Sequence, residues 1–208
     1  PELEASSAPG PNYNAAPAQS VPALLRLEGR LRLLPLRWGL VPRWAKDPSI
    51  GARMINARAE TAASKPSFKG LLRRRRCIIP ADGFYEWVKE GGAKVPVFIH
   101  LRDGSVFGMA GLWDEWTGPD GGAVRSCAIL TVEANAFMRP MHHRMPVILP
   151  RADWPRWLDE AVTEPEALRP LLAPHRADAL ACHRVSRRVN SPAFNSSACI
   201  EPASSGAA

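Results

Sequence analysis

Residues 77–88 read Cys-Ile-Ile-Pro-Ala-Asp-Gly-Phe-Tyr-Glu-Trp-Val, and they decide the fold because they hold two apolar runs of strand length, 77–79 and 83–88. Similar runs recur along the chain at residues 21–27, 31–36, 95–101, 106–113, 127–132 and 145–149. Between the runs lie residues that can reverse a chain: Glu28-Gly29, Gly91-Gly92, Asp103-Gly104 and Asp120-Gly121-Gly122. The sequence therefore predicts a mostly antiparallel β-sheet with a barrel-like core.

Helical patterns are confined to three short stretches, residues 67–75, 151–160 and 164–172, so the predicted class is α+β with strands dominant. A chain of 208 residues fits one domain, which we predict over residues 12–201. Residues 1–11 are rich in Pro, Ala, Ser and Gly, as is typical of a linker. Residues 202–208 have a similar composition and are predicted to be a flexible tail.

The charge balance favours a polyanionic partner. Lys and Arg number 27 against 20 Asp and Glu, a net charge of +7, and clustered basic residues gain affinity for phosphates by releasing counterions. The densest cluster is the run Arg73-Arg74-Arg75-Arg76 at the end of a predicted helix. This run faces either solvent or a nucleic-acid backbone, and the sequence leaves both interpretations open.

The cysteines and the apolar runs indicate the cellular compartment. Cys77, Cys127, Cys182 and Cys199 form no CxxC pair, and no secretory signal is present, so we expect reduced thiols inside the cell. No apolar run approaches the roughly 18 residues that span a bilayer, so we expect a soluble protein. Cys77 lies in a strand-like run and is predicted to be a buried thiol, which argues against a conventional cysteine protease.

Three polar islands interrupt the apolar pattern, and the first is Asn56-Ala57-Arg58-Ala59-Glu60. If this stretch is extended, Asn56, Arg58 and Glu60 share one face, because alternate residues of a strand point the same way. Such a face lines a cleft or belongs to a solvent-facing edge strand. Spacing alone does not decide between the two.

The second and third islands are centred on Glu86 and on His142-His143. Burial of Glu86 between Tyr85 and Trp87 would raise the pKa of the carboxyl and suit it to general acid–base chemistry, although a strand with inward aromatics and outward charges explains the pattern nearly as well. His142 can exchange protons near neutral pH, yet paired histidines are often structural or exposed. No further ligand lies at metal spacing around them, so no metal site is predicted.

A fourth stretch, Trp38-Gly39-Leu40-Val41-Pro42-Arg43-Trp44, is aromatic, basic and rich in turn residues. Exposed Trp beside Arg suits stacking on unpaired bases. Alternatively, both Trp side chains fill the core.

Taken in chain order, these segments resemble the SOS response-associated peptidase (SRAP) family. The matching stretches are Asn-Tyr-Asn-Ala-Ala-Pro (12–17), Trp-Gly-Leu-Val-Pro (38–42), Ile-Asn-Ala-Arg-Ala-Glu-Thr (55–61), Pro-Ala-Asp-Gly-Phe-Tyr-Glu-Trp (80–87), His-His-Arg-Met-Pro (142–146) and Val-Ser (185–186). Together they run through most of the chain, so a chance match is improbable.

The resemblance implies a small β-rich enzyme that binds single-stranded DNA and captures abasic sites as a covalent DNA–protein crosslink. In the family, an N-terminal cysteine supplies an amine, which forms a Schiff base with the sugar aldehyde, and a thiol, which closes a thiazolidine. Autoproteolytic trimming and abasic-site lyase chemistry are also implied. The resemblance further implies a monomer without cofactors in the cytoplasm, associated with the nucleoid.

Site residues are carried over by position. The resemblance implies that Asn56 orients the terminal amine, that Glu86 acts as acid and base, and that His142 protonates the sugar oxygen to open the ring. It also implies DNA contacts, with arginines on phosphates and Trp and Pro against bases. The implied DNA-binding residues are Pro17, Trp44, Arg58, Lys65, Thr131 and Arg144.

One departure concerns the nucleophile. The chain begins Pro-Glu-Leu-Glu with no cysteine nearby, where the resemblance implies a Met-Cys-Gly-Arg start. We favour the interpretation that upstream residues have been lost, because every other expected site residue is present. The alternatives are an inactive homologue that binds single-stranded DNA non-covalently, and an iminium formed by Pro1, which the linker-like register of residues 1–11 disfavours.

Overall fold

The computed structural model describes residues 10–203 and the backbone of Glu4–Ala5, and its main element is a barrel-like sheet. Within this part of the chain the strands are β1 (Glu4–Ala5), β2 (Ser20–Leu27), β3 (Arg30–Trp38), β4 (Asn56–Arg58), β5 (Arg76–Ala81), β6 (Gly83–Glu90), β7 (Ala93–Leu101), β8 (Phe107–Thr117), β9 (Ala123–Glu133), β10 (Arg144–Pro146), β11 (Ile148–Leu149) and β12 (Leu180–Arg184). The α-helices are α1 (Ala59–Ala62), α2 (Lys69–Arg74), α3 (Trp154–Trp157) and α4 (Pro165–Leu168). Single 3₁₀ turns cover Pro48–Arg53, Arg151–Asp153, Arg169–Leu171, Ala177–Ala179, Arg187–Asn190 and Ser197–Cys199.

Five strands close the barrel in the order β3, β2, β5, β8 and β9, and β9 returns to pair with β3. Four of the five contacts are antiparallel, whereas β3 and β9 run in parallel and pair Arg37 with Ser126 and Trp38 with Cys127. A ring with an odd number of strands cannot alternate direction all the way round, so one parallel contact is needed. Closure leaves these five strands without an unpaired edge along the joined segments.

Apolar side chains are buried on both faces of the barrel strands. The strand register places Leu25 and Leu36 on one face and Ile78, Leu112 and Leu130 on the other, and all five are fully buried. Burying a side chain of this size stabilises the fold by about 1.5–3 kcal/mol. The apolar runs of the sequence therefore pack both inside the barrel and against the elements that cover it.

A second sheet, in the order β12, β7, β6, packs against the barrel with one face. Phe84 and Val88 of β6 pack on the main core, while Tyr85 on the opposite face packs with Phe98, Val185 and other residues of a smaller cluster. Since side chains alternate along a strand, Glu86 shares the face of Phe84 and Val88. The β6 strand therefore directs Glu86 toward the barrel.

The loop that carries Trp44 is fixed at its base by two glycines. Gly39 has a φ of +125°, and a Cβ there would lie 2.7 Å from the carbonyl oxygen of Gly51; a Cβ on Gly51 would lie 2.7 Å from the carbonyl oxygen of Gly39. Leu40 donates its N–H to the carbonyl of Met54. The backbone can approach this closely only without side chains, so the 39–51 loop leaves the barrel at a defined point.

The predicted α+β class and the mostly antiparallel, barrel-like core are confirmed. One predicted strand, residues 145–149, is two strands, because Val147 donates to Leu130 of β9 and accepts from Ala110 of β8 and so joins both. The predicted helices at 151–160 and 164–172 are single α-turns with adjoining 3₁₀ turns. Within the predicted linker, Glu4–Ala5 pairs in parallel with Arg32 and Leu33, while residues 1–3, 6–9 and 204–208 lie outside the described residues.

The basic run at residues 73–76 does not behave as one unit, which corrects the prediction for Arg76 and leaves both interpretations open for Arg73 and Arg74. Arg73 and Arg74 are exposed, Arg75 is partly buried, and Arg76 is 5% exposed. Arg76 donates to the carbonyl oxygens of Leu72, Arg73, Trp157 and Asp159. It is a core residue because those carbonyls, not water or phosphate, satisfy its guanidinium.

Candidate active site

The polar strand β4 lies along β9 and forms one side of the candidate site. The two strands are parallel, with Asn56 beside Ile129 and Arg58 beside Thr131. Asn56 and Arg58 are exposed while Ala57 between them is buried, as the alternation of a strand requires. Asn56 and Arg58 therefore lie in an extended strand and share one face of it.

Glu60 does not share that face. The strand ends at Arg58, and Glu60 lies in the first turn of α1. Its carboxylate turns toward Arg144 and accepts two hydrogen bonds of 2.8 Å, one from Nη1 and one from Nη2. The prediction that Glu60 shares the strand face is therefore wrong: an acidic residue in Ala-Glu-Thr-Ala suits the start of a helix.

Glu86 reaches the site from the second sheet and faces His142. Its Oε1 lies 3.9 Å from Nδ1 of His142, and 24% of its side chain is exposed. Burial raises the pKa of Glu86 above its ordinary value of 4.5, and His142 opposes that rise. A partly desolvated carboxyl beside an imidazole can both take and give a proton near neutral pH.

His142 is held by the backbone of Arg144. Arg144 donates its N–H to Nδ1 of His142 at 3.0 Å, and the carbonyl oxygen of Arg144 lies 2.9 Å from the same nitrogen. A bare Nδ1 can accept from the N–H, and a protonated Nδ1 can donate to the carbonyl. The ring of His143 lies against that of His142, with centroids 4.5 Å apart.

Arg144 and Thr131 join the two sides of the site. The Arg144 guanidinium contacts Glu60 and also donates to the carbonyl oxygen of Thr131, with the Thr131 hydroxyl oxygen 3.3 Å from Nη2. Only 14% of the Arg144 side chain is exposed. Arg144 lowers the pKa of Glu60, so this carboxyl stays ionised well into the acidic range.

The other predicted DNA contacts differ in accessibility. Pro17, Arg58 and Lys65 are exposed, and Trp44 is 58% exposed, so the interpretation that Trp44 fills the core is wrong. Thr131 is 9% exposed. Trp44 borders an open hollow of about 430 Å³, which is also lined by Ala45, Lys46, Asp47, Ser49, Ile50 and Arg53.

A buried carboxylate fixes the Trp44 loop, and the sequence analysis did not identify it. Asp114, with 4% of its side chain exposed, accepts from the backbone N–H of Arg43 at 2.9 Å and from the Arg43 guanidinium. Arg75 lies 3.3 Å from the same carboxylate and packs 4.6 Å from the centre of the Trp113 ring. Nothing in the sequence around Asp114 indicates these partners, because they come from two distant segments.

The Asn-Tyr-Asn stretch, residues 12–14, supports the outer face of β6. The side-chain amide of Asn14 lies within hydrogen-bond distance, 3.0–3.1 Å, of three carbonyl oxygens in the 189–194 segment. Tyr85 donates its hydroxyl to the carbonyl of Tyr13, and Trp87 donates its ring N–H to Asn190. These contacts fix the outer face of β6 and, with it, the position of Glu86.

Within residues 10–203 the structure shows neither a metal-binding cluster nor a membrane-spanning helix. No group of three or more His, Cys, Asp or Glu side chains in residues 10–203 is arranged to hold a metal ion. No helix in the same part of the chain is long and apolar enough to cross a membrane.

Comparison with known proteins adds a family match. Residues 2–192 match the model of the family described as SOS response associated peptidase (SRAP). The chain is 45% identical over 192 residues to the abasic site processing protein YoqW of Bacillus subtilis, covering 92% of this chain and 86% of that protein. It is 36% identical over 224 residues to the abasic site processing protein HMCES of Gallus gallus, covering 92% of this chain and 66% of that protein.

Solved structures agree with the fold. A protein from Bacteroides thetaiotaomicron superimposes with a TM-score of 0.81 at 28% identity, covering 89% of this chain and 82% of that chain. A protein from Bordetella bronchiseptica superimposes with a TM-score of 0.72 at 30% identity, covering 82% and 85% respectively.

Proposed function

We propose, since the chain belongs to the SOS response associated peptidase family, that it processes abasic sites by capturing them covalently in single-stranded DNA. The observation that carries the proposal is the pair formed by Glu86 and His142, 3.9 Å apart beside the polar strand β4. The choice of substrate rests on the similarity of the chain to proteins that are named for abasic-site processing. The covalent step needs an amine and a thiol from an N-terminal cysteine, which the described residues do not supply.

The first step opens the sugar ring. An abasic deoxyribose is a closed hemiacetal, and opening it moves a proton to the ring oxygen while the hydroxyl on C1′ loses one. His142 gives the proton to the ring oxygen, and Glu86 takes the hydroxyl proton. The product is a free aldehyde in contact with both groups.

The second step forms the imine. Glu86 first returns the proton gained in ring opening to His142, whose Nδ1 lies 3.9 Å away. Asn56 orients the amine, Glu86 accepts a proton from it as nitrogen adds to C1′, and His142 protonates the aldehyde oxygen. The protonated Glu86 then gives its proton to the departing water, which leaves a protonated imine. A carboxyl whose pKa lies above the ordinary range suits both transfers. Thiol addition to the imine closes the thiazolidine, whereas loss of a C2′ proton and of the 3′ phosphate gives strand cleavage. The same amine would arise by autoproteolytic trimming.

The DNA strand is held on both sides of the lesion. Arg58 and Lys65 are exposed and suit phosphates, while Trp44 and Pro17 are exposed and suit stacking on bases. In this proposal Thr131 and Arg144 also contact the flanking phosphate.

The test is adduct formation with a labelled single-stranded oligonucleotide that contains one abasic site. Protein from the complete reading frame, with its N-terminus determined by mass spectrometry, and a form carrying Met-Cys-Gly-Arg before Pro1 are both assayed on denaturing gels. We expect a heat-stable adduct that is absent with the tetrahydrofuran analogue, which has no aldehyde. Absence of an adduct from both proteins contradicts the proposal.

A second candidate is a binding module that retains single-stranded DNA without reacting. The net charge of +7 and the exposed Trp44 favour it. It predicts salt-sensitive binding of the abasic and tetrahydrofuran oligonucleotides with equal affinity and no adduct.

A further inference from the structure

We propose that Glu60 is a positioning residue for His142 and acts through Arg144. This inference rests on the proposed function for its kinetic test, but its spectroscopic test does not. The chain of contacts runs from the Glu60 carboxylate to the Arg144 guanidinium, and from the Arg144 backbone to the imidazole.

The side chain of Arg144 is locked on two sides. Glu60 accepts from both Nη1 and Nη2 at 2.8 Å, which is the bidentate geometry that fixes the plane of a guanidinium. Thr131 of β9 accepts a further bond through its backbone carbonyl. With 14% of its side chain exposed, Arg144 has little freedom to turn. Arg144, at the start of β10, is therefore held to α1 through Glu60 and to β9 through Thr131.

The backbone of Arg144 in turn sets the imidazole. Its N–H and its carbonyl both lie within 3.0 Å of Nδ1 of His142, so this nitrogen has a partner whether or not it carries a proton. Within the described residues, Nε2 has no hydrogen-bond partner and stays available to a substrate. A displacement of Arg144 would move Nδ1 relative to Glu86 Oε1, which is 3.9 Å away.

The charged groups around the pair are few. His142 faces Glu86 and the His143 ring, and the Glu60 carboxylate lies near the backbone of Glu133 besides its bonds to Arg144. In the described residues, the Arg144 guanidinium is the cation that Glu60 contacts. Removing the charge of Glu60 therefore acts on His142 through Arg144.

The principal variant is Glu60→Gln, with Glu60→Asp as the conservative rescue and Glu164→Gln as the matched control. Glu164 also contacts an arginine, Arg73 at 3.3 Å, but both side chains are exposed and lie outside the site. We expect Glu60→Gln to slow single-turnover adduct formation by about 10- to 100-fold, because displacements of about 1 Å cost that much in a positioned site. Glu60→Asp should recover most of the rate, and Glu164→Gln should match wild type.

Two further readouts separate positioning from other roles. Long-range ¹H–¹⁵N spectra should show a changed tautomer ratio for the His142 ring in Glu60→Gln, and no change in Glu164→Gln. Affinity for the tetrahydrofuran oligonucleotide should stay within about twofold of wild type. The spectra remain informative even if the wild-type protein forms no adduct.

Three results would overturn the proposal. Glu60→Gln could match wild type in rate and in the His142 spectrum, which removes the role altogether. It could be slow with an unchanged spectrum, which places the effect elsewhere. It could bind the tetrahydrofuran oligonucleotide several-fold more tightly at an unchanged rate, in which case Glu60 competes with phosphate for Arg144.

Discussion

Glu86 is a partly buried carboxyl whose pKa lies above the ordinary value of a glutamate. Its strand face, shared with Phe84 and Val88, removes water from the carboxyl and raises its pKa, while His142 at 3.9 Å limits that rise. An exposed glutamate would stay ionised at neutral pH and could not return a proton to departing water. Partial burial, by raising the pKa of Glu86, therefore suits this carboxyl to the acid–base role proposed for it.

The raised pKa of Glu86 should be visible in the pH dependence of adduct formation. A base works only when deprotonated, and because the pKa of Glu86 is raised, the rising limb of the rate should lie above the range of an ordinary glutamate. Glu86→Gln should lower the rate by about 10²–10⁴-fold and abolish that limb. Glu90→Gln, on the same strand but paired with Arg184, is the control. A limb that persists in Glu86→Gln would assign it to another group.

Stability should respond to pH in a related way. The folded pKa of Glu86 lies above its unfolded value, so its protonated form favours folding, and that contribution is lost as pH rises through the folded pKa. Glu86→Gln should therefore gain stability relative to wild type as pH rises from about 4 to 8. Urea unfolding at both pH values measures the difference.

At the scale of elements, the buried guanidinium of Arg76 joins the C-terminal ends of helices α2 and α3. The C-terminal carbonyls of a helix lack partners within the helix, and Arg76 donates to those of Leu72 and Arg73 in α2 and to that of Trp157 in α3. Trp157 donates in return to the carbonyl of Cys77, the next residue of β5. These bonds join both helices to β5 of the barrel.

Arg76→Met should consequently destabilise the protein by about 3 kcal/mol or more, since it leaves several buried carbonyls without donors. Arg74→Met, two residues earlier in the same basic run and exposed, should stay within about 0.5 kcal/mol of wild type. Urea midpoints of the two variants test this directly. Equal midpoints would show that water satisfies those carbonyls when Arg76 is absent.

Elements were predictable from the sequence where their signal is local. The apolar run and turn residues around Gly91-Gly92 predict the β6–β7 hairpin, because neighbouring strands pair through a short turn. β12 gives no such signal, since its five residues become a strand only by pairing with the distant β7. The same limit applies to the candidate site. Local patterns name Asn56 and Glu86 as candidates, whereas the partners of Glu60 and Asp114 lie far away in sequence and give no local signal.

At the scale of the molecule, two sheets meet so that the small sheet contributes Glu86, while the barrel sheet contributes the polar strand β4 and, just before β10, His142. β6 belongs to the small sheet, while β4, β9 and β10 belong to the barrel sheet. On the outer face of the small sheet, Tyr85 donates to the carbonyl of Tyr13 and Trp87 donates to Asn190. Asn14 in turn donates to the carbonyl of Val189, which joins residues 12–17 to the 189–194 segment. The position of Glu86 relative to Asn56 is therefore a property of the whole assembly.

The net charge of +7 should act through particular residues and not as a diffuse field. Each phosphate contact on single-stranded DNA contributes about 0.7 to the slope of log K against log salt, so Arg58→Gln with Lys65→Gln should reduce the slope by about 1.4. Lys89→Gln with Lys94→Gln removes the same charge from exposed positions of the β6–β7 hairpin and should leave the slope unchanged. Binding to the tetrahydrofuran oligonucleotide from 50 to 300 mM salt measures both. Equal reductions in the two double variants would mean that the strand senses only net charge, and that Arg58 and Lys65 form no phosphate contacts of their own.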